Sequence, residues 1–87
     1  MGLDTVEFVI EVEKEFSIEI FDDDATGLEL VGKLAEYIVT QTKIQINEVT
    51  SFDIVFSKLK NMLVELYSIP KESIRPTSHF VKDLGLD

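Results

Sequence analysis

Three segments of this chain repeat their apolar residues at intervals of three and four, and no segment alternates them convincingly at intervals of two. That periodicity restricts the chain to a helical fold. From Leu3 to Phe16 the stripe is Leu3, Val6, Val9, Ile10 and Phe16, broadened by Phe8 and Val12. Asp4, Glu7, Glu11 and Glu15 mark the contrasting polar surface. The second stripe is Leu30, Val31, Leu34, Ala35, Ile38 and Val39, which predicts a helix over 29–41. The third is Phe52, Val55, Phe56, Leu59, Met62, Leu63 and Leu66, predicting a helix from Phe52 to Tyr67 with Thr50 or Ser51 as its cap. Asp22, Asp23 and Asp24 suit the start of a short helical turn between the first two helices, and Gly27 suits its end.

Two stretches lack a stripe. Residues 41–49 have neither strong helical periodicity nor strong turn residues, and read as a connector. Pro70 cannot continue the third helix, and Pro76 keeps the following stretch irregular. Residues 68–87 are therefore a long loop pinned by Phe80, Val81 and Leu84, and so long a loop in a small domain carries function as a rule. The fold class is all-α, a small bundle of three longer helices and one short one.

Composition narrows the function. Eighty-seven residues make a single domain. The absence of cysteine removes disulfides and thiolate metal sites. A net charge of −9 disfavours nucleic acid and favours basic partners, although it also serves plain solubility. No apolar run approaches the ~18 residues that cross a bilayer, so no membrane contact is expected. The start lacks a secretory pattern, which predicts a cytoplasmic protein, or one of an organelle stroma or matrix.

The two ends of the chain complement each other. It finishes Phe80-Val81-Lys82-Asp83-Leu84-Gly85-Leu86-Asp87 and begins, after Met1-Gly2, with Leu3-Asp4-Thr5-Val6-Glu7-Phe8. Joined end to start with one serine between Asp87 and Leu3, this resembles the prosthetic-group attachment site of acyl carrier proteins. The resemblance extends through Ile69-Pro70, Ile74, Ser78-His79, Glu15-Phe16, Glu19-Ile20 and the acidic turn, always in exchanged order. The chain thus reads as an acyl-carrier-like bundle circularly permuted at its functional centre, either engineered or recombined. Residues 3–43 correspond to the second half of the family fold, 44–50 to a connector, and 51–87 to the first helix and long loop.

The resemblance implies a carrier and not an enzyme. In that family a serine at the start of the second helix receives 4′-phosphopantetheine, and the arm carries acyl chains as thioesters for fatty acid or related synthesis. A helix N-terminus favours the phosphate of the arm. Partners would be the basic surfaces of acyl-chain synthesis enzymes and of a phosphopantetheinyl transferase, met by Asp4, Glu7, Glu11, Glu13 and Asp87. Lys14 departs from the family's acidic run. The bland reading of these carboxylates is a solvated helix face. The attachment serine is absent: Asp87, Gly2 and Leu3 flank its place, and Ser17, Ser51, Ser57, Ser68, Ser73 and Ser78 lie in other local sequences. No cofactor is expected on this chain.

The chain reads alternatively as a fragment bridging two tandem carrier domains. Asp22, Asp24, Thr26 and Gly27 resemble the opening of a calcium loop, which would make a calcium-responsive helical protein. Lys33 stands where that loop needs its bidentate Glu, and Glu29 where it has an apolar residue, so no metal site is expected. His79 has no partner for catalysis or ligation and reads as a loop residue. A connector of about ten residues spans ~30 Å when extended, enough to fold back, which predicts a monomer with a half-exchanged dimer as the alternative.

Overall fold

The computed structural model of the chain describes residues 3–86. Helix α1 spans Leu3–Phe16, as its periodicity predicts. Its buried side is Phe8, Val12 and Phe16. Val6 and Ile10, assigned to the same stripe from the sequence, are 41% and 45% exposed. Both sets have helical spacing, so hydrophobicity does not choose between them. The neighbouring elements cover one side of α1, and the aromatic rings, with the larger area to bury, occupy it. Ser17 ends the helix in the left-handed region, φ 55, and Ile18 donates its N–H to the Glu13 carbonyl at 3.2 Å. This is a Schellman closure made by serine in place of glycine.

Residues 18–21 cross to α2, Asp22–Ala25, burying Ile18 and Ile20. Three aspartates in one turn complement the positive end of that short helix.

Helix α3 spans Val31–Ile46, later at its start and longer at its end than the predicted 29–41. The start is set by the long loop. Val31 and Gly32 donate their N–H groups to the carbonyls of Ser78 at 3.0 Å and Pro76 at 2.8 Å. Leu30 forms an isolated antiparallel bridge with His79. The end corrects the reading of 41–49, and of 44–50, as connector. Thr42 is buried and donates its hydroxyl to the Val39 carbonyl at 3.0 Å, and Gln45 bonds Gln41 at 2.8 Å. Gln45 also holds both backbone groups of Glu19, at 2.7 and 2.9 Å. Polar residues thus extend a helix that an apolar count stops at Gln41. Asn47, φ 54, closes it, and the connection to the next helix shrinks to 47–51.

Helix α4 spans Phe52–Tyr67, with the Ser51 hydroxyl accepting the Ile54 N–H at 3.3 Å. It packs on α3 and buries Val55, Leu59 and Leu63. Phe52 and Phe56 stack at 5.8 Å on the flank, and Leu66, expected in the core, is 48% exposed. The long loop then makes a 3-10 turn at Lys71–Ser73 and returns across the bundle. Its buried anchors are Ile69, Ile74, Phe80 and Leu86. Leu84 is half-buried, while Val81, expected as an anchor, is 48% exposed. Among the described residues there are three long helices and one short one and no strand, the small all-α bundle that the periodicity predicts.

Candidate functional site

The loop and α1 meet through aromatic rings. Phe8 packs on Phe80 at 5.6 Å between centroids and edge-on against Tyr67 at 6.1 Å. Tyr67 donates its hydroxyl to the Asp4 carbonyl at 3.0 Å, tying the end of α4 to the first turn of α1 across 63 residues. Beside this junction a cleft of about 310 Å³ opens between α1, α2, the start of α3 and the loop. Thr5, Phe8 and Val9 form one wall, Ala25, Leu28 and Leu34 another, and His79, Phe80 and Val81 the third. The volume stands at the lower end of small-molecule pockets, and the lining is mainly apolar. Val81, which fails as a core anchor, instead borders this cleft.

His79 is held as a cap. Its Nδ1 accepts the N–H groups of Val81 and Lys82, both at 3.1 Å, and Asp83 Oδ2 accepts the His79 N–H at 2.7 Å. The ring nitrogen that a base would use is thereby committed to the backbone. Its Nε2 lies 3.6 Å from Glu29 Oε2.

The carboxylates named from the sequence do not share one face. Asp4, Glu7 and Glu11 lie on neighbouring turns of one side of α1, which the helical 3.6-residue period dictates. All three raise the pKa of Tyr67 by their charge, after burial, which is the larger cause, with Glu7 the strongest of the three. Glu11 also forms an exposed pair with Lys14 at 3.7 Å, of small energetic weight. Glu13 points the other way: its Oε2 accepts the Ile20 N–H at 2.8 Å and holds the crossing to α2. Exposed Val6 and Ile10 run between these two sides, near exposed Phe21. The sequence reading placed Val6 and Ile10 inside and so missed an apolar ridge rimmed by acid. Gly2 and Asp87, and the side chain of Leu3, lie outside the described residues.

The aspartates of the calcium-loop resemblance belong to α2. Consecutive helical residues point in different directions, so their carboxylates diverge. Asp24 Oδ2 accepts the Tyr37 hydroxyl at 2.8 Å. Among the described residues no three acidic or histidine side chains gather in a way that would hold a metal, and no helix is long and apolar enough to cross a membrane.

Over 40 residues the chain is 56% identical to the mitochondrial acyl carrier protein of Neurospora crassa, covering 46% of this chain and 30% of that protein. Over 42 residues it is 44% identical to the acyl carrier protein of Clostridium perfringens, covering 48% of this chain and 55% of that one. The alignments thus span about a third and about half of these relatives. No family model matches the chain, and no solved structure does.

Proposed function

We propose that this chain is an acyl carrier scaffold in circularly permuted order, a non-catalytic binding module whose loading site is disabled. The observation that carries the proposal is the apolar cleft shared by Thr5 and Phe8 of α1 and Phe80 and Val81 of the loop. Those two segments hold the opposite ends of the sequence, and together they read as the two halves of one attachment motif. Matches to acyl carrier proteins that stop at 40 and 42 residues agree with this order, because a collinear alignment cannot run through exchanged halves.

In this reading residues 3–46 are the second half of the carrier fold and 52–86 its first helix and long loop. The ridge of Val6 and Ile10, with Asp4, Glu7 and Glu11 beside it, is the surface for basic acyl-synthesis enzymes and the transferase. Glu13 contributes less, since its carboxylate is occupied by Ile20. By the resemblance, Asp87 is a further acidic residue for such partners. An arm anchored at the place flanked by Asp87, Gly2 and Leu3 would deliver an aliphatic chain to the cleft. None of the serines of this sequence lies in an attachment motif, so in this reading a chain of this sequence is not loaded with 4′-phosphopantetheine.

Intact mass tests the reading. Incubation with coenzyme A and a broad-specificity phosphopantetheinyl transferase leaves the mass of this chain unchanged. A chain re-joined through a serine between Asp87 and Leu3, and opened within 47–51, gains the mass of one arm. Loading of the present chain, or failure of the folded re-joined chain to load, would overturn it.

A further inference from the structure

We propose that two copies of this chain exchange their 52–86 halves, with residues 47–51 as the hinge, to form a symmetric swapped dimer. Within this sequence the halves are joined only through those five residues. The contacts between the halves, by contrast, are core contacts. Phe8 packs on Phe80, and the N–H groups of Val31 and Gly32 are satisfied by Ser78 and Pro76. An exchange restores every one of them between chains, so its enthalpic cost is confined to the hinge.

Two features of the hinge favour opening. The closed turn is only five residues long and holds Asn47 at φ 54, a left-handed conformation that asparagine tolerates better than other side chains but that glycine adopts with less strain. A short connection under backbone strain is the condition that promotes swapping. The hinge region also leaves apolar side chains uncovered: Ile44 in the last turn of α3, Val49 in the connection and Ile54 in the first turn of α4 are 68%, 86% and 54% exposed. When the hinge extends, two copies pass each other at the twofold axis and these side chains find partners that the closed chain lacks. The net charge of −9 opposes association, so added salt strengthens the dimer.

Light scattering across a wide concentration range, together with mixing of isotopically light and heavy protein, tests this. The expected mass is twice the 9.9 kDa of one chain at high concentration. Mixed-label dimers should form only as slowly as the bundle unfolds, and quickly after heating and cooling. Asn47→Gly, which relieves the left-handed residue in the closed turn, should weaken dimerisation by about tenfold, and Asn47→Ala should strengthen it by a similar factor. A monomer at every concentration overturns the proposal. So does a dimer whose labels scramble rapidly at low temperature, or one that neither substitution moves, since either would be a surface contact.

Discussion

Gly32 presses against Pro76 so closely that a side chain does not fit: a Cβ built on Gly32 would lie 2.8 Å from the Pro76 carbonyl oxygen and 3.0 Å from its Cβ. The same approach lets Gly32 donate its N–H to that oxygen at 2.8 Å. Helix α3 thus receives its N-terminal cap from the far loop. In Gly32→Ala the helix gains about 1 kcal/mol of propensity. Overpacking against backbone and proline costs about 1–3 kcal/mol. We expect a net loss of roughly 1 kcal/mol by chemical denaturation, measured against Gly27→Ala, whose nearest neighbour is 3.7 Å away and whose effect should be neutral or stabilising. A stabilised Gly32→Ala would refute the close packing of loop on α3.

Left-handed closures offer a second test. Ser17 and Ser68 sit at φ 55 and φ 56, where glycine carries no steric penalty. Ser17→Gly and Ser68→Gly should each raise stability by about 0.5–1 kcal/mol, seen as a higher melting temperature. Gly85, at φ 73 with open space around it, should respond in the opposite sense. Its replacement by alanine costs about 1–2 kcal/mol from backbone strain alone.

Ser78 is buried and uses its hydroxyl twice, donating to the Ser73 carbonyl and accepting the Arg75 N–H, both at 2.9 Å. Ser78→Ala leaves both backbone groups without that partner. The expected loss is about 1–3 kcal/mol, with hydrogen exchange rising first in the loop. Unchanged protection at Arg75 would contradict the assigned role.

Both tyrosines resist ionisation. Tyr37 is pushed up from the ordinary 10.0 to about 12, chiefly by burial and then by its bond to Asp24. Tyr67 is raised chiefly by burial and then by Glu7. As pH rises above the ordinary 10.0, the unfolded chain releases these protons before the folded one, so their contribution to stability is full below that pH and is lost above it, for Tyr37 as pH climbs toward about 12. Phenolate absorbance should show delayed titration, and Glu7→Gln should bring Tyr67 part of the way back. Two tyrosines titrating normally in the folded protein would exclude the arrangement.

Local sequence was most informative where one signal had no competitor. Helix α4 begins and ends where its stripe, the Ser51 cap and Pro70 place it, and α1 ends at Phe16, the last residue of its stripe. Tertiary contacts decided the rest. The extension of α3 to Ile46 depends on the burial of Thr42 and on Gln45 reaching Glu19, and neither carries an apolar signal. The exposure of Val6 and Ile10 depends on which side of α1 its neighbours cover. The ridge and the cleft therefore stayed hidden, while the acidic residues beside them were visible as a pattern.

The sequence by itself determined the all-α class and the helical stripes, since periodicity is a property of neighbouring residues. Only the tertiary structure decided which apolar face of α1 is core, where α3 starts and stops, and that Phe8, Phe80 and Val81 enclose one cleft. Those outcomes depend on pairs such as Gly32 and Pro76 or Asp4 and Tyr67, whose energies exist only once distant segments exclude water from between them.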